Sequence, residues 1–140
     1  MEIHPYHDRD EPGVVTLWRD VFGYTEPRND PSRTLQQKLA HDRDLLLVAA
    51  EGDRVIGTVM GGYDGHRGWL YSVAVDAAHR RQGVATALVR RMESLLAGRG
   101  CPKVNLQVHA SNAHVVAFYR TLGYAVEERI SMGKLLTKPQ

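Results

Sequence analysis

The sequence predicts an α/β (α+β) domain built on one mixed sheet, and three observations carry that prediction. The hydrophobic pattern changes from strand-like runs over residues 45–75 to a helical repeat over 83–99, and then back to alternation. The strand–helix–strand unit from Trp69 to Val108 calls for parallel strands joined by a right-handed crossover. The 140 residues hold no internal repeat, low-complexity tract or linker-like stretch, so residues 1–140 read as a single domain.

The elements follow in order. Residues 2–6 read as a first strand. Asp10 or a neighbouring acid caps a helix through Val14, Val15, Leu17, Trp18 and Val21, with Pro12 tolerated in its first turn. Asp30-Pro31 marks a second helix start, and Leu35 and Leu39 lie on its apolar face. Leu45–Glu51 and Arg54–Tyr63 are strands joined by a hairpin at Gly52-Asp53. Glycines between Gly61 and Gly68 interrupt the pattern, and Trp69–Val75 resumes it. Gly83–Arg99 sets Val84, Leu88, Met92 and Leu95 on one helical face and Arg90, Arg91 and Glu93 on the other. Gly98, Gly100 and Pro102 stop that helix. Lys103–Val108 alternates as a strand with one buried face. A helix over 112–122 turns Val115, Tyr119 and Leu122 to one side, with Gly123 at its C-terminal end. A last strand is expected over Ala125–Leu136.

Composition narrows the function classes. A hydrophobic share of 43% and a charged share of 24% are ordinary for a globular chain in water. The longest apolar run, Leu45 to Ala50, is far short of the roughly twenty residues a membrane helix needs, so no membrane association is expected. Met-Glu-Ile-His-Pro shows no secretory signal pattern, and the single Cys101 forms no internal disulfide; a cytoplasmic location fits both. One cysteine makes a thiolate zinc site implausible, and His109 and His114 are outweighed by ordinary loop histidines, so no metal is expected. Neither a Gly-x-Ser-x-Gly elbow nor a His-Glu-x-x-His helix is present.

Charge is split along the chain. Residues 1–53 hold six Lys/Arg against eleven Asp/Glu, a net of −5, and residues 54–140 hold twelve against five, a net of +7. The basic part attracts an anionic partner, either a phosphorylated cofactor or a nucleic acid, unless it is simply a solvated surface. The Arg-rich face lacks the interleaved aromatics of single-strand platforms, so no nucleic acid is expected, and a nucleic-acid-binding module stays a minor alternative.

The chemistry concentrates in Val73-Ala74-Val75-Asp76-Ala77-Ala78-His79-Arg80-Arg81-Gln82-Gly83-Val84-Ala85-Thr86, where a strand ends, a basic loop follows and a helix opens on small residues. Helix N-termini leave about four N–H groups unpaired and carry roughly half a positive charge. Small residues there let a diphosphate approach the backbone. Neither a Walker loop nor a Gly-x-Gly-x-x-Gly is present. Gly83 is then either part of a different diphosphate cradle or a glycine needed only for a tight turn.

Arg80-x-x-Gly83-x-Ala85 resembles the Arg/Gln-x-x-Gly-x-Gly/Ala signature of the GCN5-related N-acetyltransferase (GNAT) superfamily. Asn112 and Tyr119, followed by Leu122-Gly123-Tyr124, resemble its Asn-x-x-Ala-x-x-x-Tyr-x-x-x-Gly-Phe/Tyr motif, with Val115 in the place of alanine. The resemblance spans about residues 54–125, and Gly61–Gly68 resembles a poorly characterised bacterial subgroup. It implies a GNAT-like twisted sheet of about six strands flanked by about four helices. It also implies acetyl-CoA as cosubstrate, bound by Val73, Ala74 and Val75 along the pantetheine and by Arg80, Arg81, Gln82, Gly83, Val84, Ala85 and Thr86 at the pyrophosphate, with Asn112 and Tyr119 nearby.

The implied reaction moves an acetyl group from the thioester to a primary amine by direct attack in a ternary complex. A backbone N–H near Val73 polarises the carbonyl oxygen. The leaving thiol has a pKa of about 8.5, and a tyrosine near 10 can protonate it. By resemblance that acid is Tyr119, which could otherwise be a core aromatic; Asn112 could be a helix cap, a cofactor contact or both. Gln107 stands where the ribosomal-protein N-terminal acetylating branch has a glutamate base, and an amide accepts no proton. Either Asp64, His66 or His109 supplies the base, or the acceptor amine enters neutral and water carries the proton. A non-catalytic acetyl-CoA sensor is the alternative. The first two helices, which wall the acceptor in this superfamily, lie in the acidic part of the chain, so a cationic amine acceptor is expected; a homodimer is a further expectation.

Overall fold

The computed structural model describes residues 1–23 and 29–137. Strands β1 (Glu2–Pro5), β2 (Leu46–Glu51), β3 (Arg54–Tyr63), β4 (Gly68–Val75) and β5 (Val104–Asn105) form one sheet in sequential order, antiparallel except for the parallel β4–β5 pair. Helices α1 (Glu11–Phe22), α2 (Pro31–Leu39), α3 (Val84–Gly98) and α4 (Ala113–Thr121) flank it. The helices expected over 83–99 and 112–122 are each present within one residue of those ends, and the two whose starts are marked by Asp10 and by Asp30-Pro31 begin at Glu11 and Pro31. Asp30 caps α2 by accepting the Arg33 N–H at 3.3 Å. At α1 the Asp10 carboxylate turns back instead to accept the His7 N–H at 2.9 Å.

The sheet separates two cores. Val14, Leu17 and Trp18 of α1 and Leu35 of α2 pack on one face, and Val84, Leu88, Val89, Met92 and Leu96 of α3 with Tyr119 on the other. That sandwich explains the Leu45–Ala50 run: Leu46 and Val48 point into one core, Leu47 and Ala49 into the other, so β2 has no solvent face. On α3 the buried stripe includes Val89 and Leu96, while Leu95, expected inside, is 37% exposed.

β4 carries a bulge. Met60 faces Tyr71 and Thr58 faces Ala74, so the β4 strand spends one residue more than β3 over this interval. Its signature is Ser72 at φ 49°. The extra residue reverses the side-chain alternation, and Leu70 and Ala74 enter opposite cores although an even number of residues separates them.

Two strand expectations change. Lys103–Val108 pairs only at Val104 and Asn105, although Val104, Leu106 and Val108 all pack against the core as the alternation requires. Ala125–Leu136 is not a strand, and the sheet has five strands rather than about six. A strand needs a neighbour's main chain, and among the described residues the segment is bonded to β5 and to Gln107 beyond it through side chains alone. No described helix is long and apolar enough to cross a membrane.

Candidate active site

The site forms where β4 and β5 part. Their ladder ends at Gly68–Val104 and Trp69–Asn105, which leaves the β4 edge from Leu70 to Val75 unpaired on that side. Inside this stretch lies the bulge, and a buried polar chain holds it. Trp18 Nε1 donates to Thr58 Oγ1 at 2.8 Å, and Thr58 Oγ1 donates to the Ser72 carbonyl at 2.9 Å. Thr58 is fully buried, so each of these bonds is costly to lose. Sequence reading placed Trp18 only in a helix core and passed over Thr58. The signal was present, a lone hydroxyl inside the apolar run Val55–Met60.

At the end of β4 the Asp76 N–H donates to the Ile56 carbonyl at 2.8 Å, which fixes where the strand stops. Asp76 then bonds His79 at 2.8 Å and Arg54 at 3.3 Å, and these contacts hold its carboxyl below the usual carboxylate range. Gly83 follows at φ 81°, a conformation that strains any side chain, and no heavy atom lies within 4 Å of where its Cβ would stand. It is the N-cap of α3 and supplies no side-chain cap, so the helix opens with free N–H groups toward open space. Arg80, Arg81 and Gln82 are exposed and have no hydrogen-bond or ion-pair partner among the described residues. Val84 is buried beneath them, and Ala85 and Thr86 are partly buried. These groups fit a bound diphosphate: donors, fixed cations and a surface with no Cβ in the way.

Tyr119 on α4 is 8% exposed, and its ring meets Phe118 and Tyr124 edge-on at 5.1 and 5.5 Å. Burial pushes its hydroxyl up to about 12. The Tyr119 hydroxyl has no hydrogen-bond partner among the described residues, whereas the Tyr124 hydroxyl donates to Glu93 at 2.6 Å. A core tyrosine with a satisfied hydroxyl therefore describes Tyr124 better than Tyr119. Asn112 is the α4 N-cap residue, yet its side chain makes no capping bond and is exposed.

The candidate bases scatter. Asp64 sits in the β3–β4 turn, where its carboxylate accepts the N–H groups of Arg67 and His66, both at 2.7 Å, and those bonds lower its pKa. That turn precedes β4 while Gly83 follows it; at about 3.3 Å per residue, Asp64 and His66 lie roughly 20 Å along the strand from the loop that leads to Gly83. His109 is exposed, with Nδ1 2.8 Å from Ser111 Oγ, and Gln107 Nε2 donates to Ser131 Oγ at 2.6 Å. The structure does not gather these four residues around one point.

A cleft of about 280 Å³ opens between α1, α2 and the bulge, lined by Trp18, Phe22, Gly23, Asn29, Pro31, Thr34 and Ser72. Among the described residues that line it, none is a carboxylate. Acids of the first 53 residues instead serve as caps and ion pairs: Asp30 caps α2, Asp8 meets Arg43, and Asp42 and Asp44 meet Arg99. Among the described residues, no group of three or more His, Cys, Asp or Glu side chains could hold a metal.

A sheet that splays beside a helix N-terminus, with a walled cleft on its far side, is the architecture of an acyl-group transferase. Residues 12–124 match the acetyltransferase (GNAT) family. The chain is 42% identical over 141 residues to an acetyltransferase of Sodalis glossinidius (strain morsitans), covering 100% of this chain and 99% of that one. The aminoglycoside antibiotic 6'-N-acetyltransferase AAC(6')-IG of Acinetobacter haemolyticus superposes with a TM-score of 0.79 at 21% identity, covering 99% and 100% of the two chains. The aminoglycoside N-acetyltransferase AAC(6')-Iy, solved in complex with CoA, also gives 0.79, at 16% identity and 97% and 95% coverage. The chain belongs to the GNAT family of acetyltransferases.

Proposed function

We propose that the protein transfers an acetyl group from acetyl-CoA to a primary amine by direct attack in a ternary complex. The observation that carries the proposal is the parted β4–β5 edge running into the uncapped N-terminus of α3, with Arg80 and Arg81 unpaired beside it. Arg80, Arg81, Gln82 and the N–H groups from Gly83 to Thr86 hold the pyrophosphate, and the main chain of Val73, Ala74 and Val75 lies along the pantetheine. When bound, the cosubstrate supplies an acyl group activated as a thioester. The bulged backbone near Val73 presents an N–H to the carbonyl oxygen, where negative charge develops. Tyr119 Oη keeps its proton at every pH well below about 12 and serves as donor to the leaving sulfur. Asn112, free of a capping bond, is left to contact the cosubstrate.

The amine enters through the cleft beside Ser72 and arrives neutral, because Gln107 and the dispersed Asp64, His66 and His109 provide no shared base there; the proton it sheds as the amide forms passes through water and restores the Tyr119 hydroxyl. That dispersal also favours the second reading, a sensor that binds acetyl-CoA without turnover. Calorimetry with acetyl-CoA, run beside a nucleic-acid titration, tests the binding; an amine screen followed by thiol release tests the transfer. Saturable acetyl-CoA binding with thiol release supports the enzyme, and binding with no release from any amine supports the sensor. Running cationic, neutral and anionic amines at two ionic strengths tests the acceptor's charge. A cation preference that weakens with salt supports steering by the acidic first half of the chain. Equal rates assign recognition to uncharged contacts in the cleft. The lone cysteine and the acetyl-CoA requirement support a cytoplasmic setting.

A further inference from the structure

Phe22 and Tyr71 are 52% and 50% exposed, and no other Phe, Tyr or Trp among the described residues is exposed. Both border the cleft at the β4 bulge. Phe22 lines it from the end of α1, and Tyr71 immediately precedes Ser72, which lines it from the sheet. The direction of the Tyr71 side chain follows from the register. Leu70 enters the α3 core, and a Cβ on Gly61, across from it, would meet Met92 of α3. Their neighbours Met60 and Tyr71 therefore face the other way, and Met60 is buried there with Trp18 against α1 and α2. Trp69, two positions before Tyr71 on the same face, is partly buried. Opposite it, no heavy atom among the described residues lies within 4 Å of where a Gly62 Cβ would stand. The cleft thus runs onto an open aromatic shelf, whose apolar area a ligand can cover.

We propose that Phe22 and Tyr71 are specificity-determining residues that select a primary amine held on a short arm from an aromatic ring, with the nitrogen beside Ser72 and the ring against these two side chains. Charge gives the shelf little preference of its own. Lys38 on α2 donates from Nζ to the Gly61 carbonyl, while Asp64 already accepts the His66 and Arg67 N–H groups, so the two charges that border the shelf are of opposite sign. Burial first, and the Asp64 charge second, raise the Tyr71 hydroxyl above the usual tyrosine range, so it stays a neutral rim to the ring. Size agrees. At about 280 Å³ the cleft lies just under the roughly 300–1,000 Å³ of sites for drug-sized ligands, enough for one ring and its arm. A planar ring also stacks on an aromatic side chain as a flexible alkyl chain does not. The proposal rests on this cleft being the acceptor's entrance, and it makes the ring, rather than a second positive charge, the feature that is read.

Titration calorimetry on the full chain, alone and loaded with CoA, tests it without requiring turnover. Phenethylamine is compared with hexylamine, which is apolar but has no ring, and with putrescine, which carries a second charge. Phenethylamine should bind at least tenfold more tightly than either. Tyr71→Ala and Phe22→Ala should each lower that ratio at least fivefold, while Tyr71→Phe keeps the ring and should preserve it; circular dichroism verifies that the variants fold. In steady state the alanine variants should lose kcat/KM for phenethylamine through KM, a split that a general loss of structure would not give. Phenethylamine that fails to bind, or binds no more tightly than hexylamine or putrescine, overturns the proposal. So does a ratio that neither alanine variant moves, or a loss in Tyr71→Phe equal to that in Tyr71→Ala, which would assign the effect to the hydroxyl. Phenethylamine that binds with the expected preference but releases no thiol from acetyl-CoA would uphold the selection and overturn the transfer.

Discussion

Trp18 and Thr58 lie 40 positions apart and meet through one buried hydrogen bond, indole Nε1 to hydroxyl at 2.8 Å. Because Thr58 in turn donates to the Ser72 carbonyl, the helix that walls the cleft and the bulge that shapes the open strand edge share a single polar chain. α1 therefore cannot shift without disturbing the main chain at Ser72 and Val73.

Thr58→Val removes both bonds and leaves the Trp18 N–H buried without an acceptor. Unfolding in urea should show a loss of about 1–3 kcal/mol, the cost of stranding a buried polar group. Thr58→Ser keeps the hydroxyl and should recover most of that loss. If the bulge positions the reacting carbonyl, kcat of the valine variant falls at temperatures where the protein is fully folded, while the serine variant stays near wild type. Equal kcat in both would confine Thr58 to stability.

Gly83→Glu forces a side chain into a backbone held at φ 81° and puts negative charge where we propose the pyrophosphate lies. Acetyl-CoA at millimolar concentration should raise the melting temperature of the wild type through binding to the native state alone. The variant should show no rise. An unchanged shift would make Gly83 a turn residue only.

Tyr119→Phe should slow turnover by roughly 10²–10⁴-fold with little change in acetyl-CoA affinity, the scale of a lost general acid. The pH dependence has a defined sign. Unfolded tyrosine ionises near 10 and buried Tyr119 near about 12, so as pH rises above 10 the unfolded chain loses this proton first. Tyr119 thus contributes stability that is complete below pH 10 and declines from there toward 12, and the phenylalanine variant should lack that slope. For the same reason kcat should show no falling limb from Tyr119 between pH 7 and 10.

Gly57→Ala probes the contact between sheet and phosphate-loop helix. A Cβ there would lie 2.9 Å from Val84 Cγ1 and Leu88 Cδ1, and 3.2 Å from the Ala74 carbonyl oxygen. Accommodating it means pushing the first turn of α3 off the sheet. Overpacking of this kind costs about 1–3 kcal/mol. Acetyl-CoA should also bind more weakly, since the displaced turn carries the N–H groups proposed to hold the diphosphate. Calorimetry that returns wild-type affinity would show that α3 absorbs the methyl elsewhere.

Helices α1 to α4, the β2–β3 hairpin and the loop that opens α3 at Gly83 were legible in the sequence because each depends on local features. Period, capping residues and small residues at a helix start act within a few positions of one another. Asp30 before Pro31 and Gly83 before Val84-Ala85 are such cases. What tertiary structure decided is whatever required a second segment to be in place. The β4 bulge appears only when ten residues of β3 are laid against eight of β4. The Trp18–Thr58–Ser72 chain needs three elements to converge. Residues 106–108 alternate like a strand but diverge from β4, and residues 125–136 alternate with no main-chain partner. Alternation reports which face of a segment is apolar, while a strand is a hydrogen-bonded pair, and only the folded chain determines which backbone stands beside which.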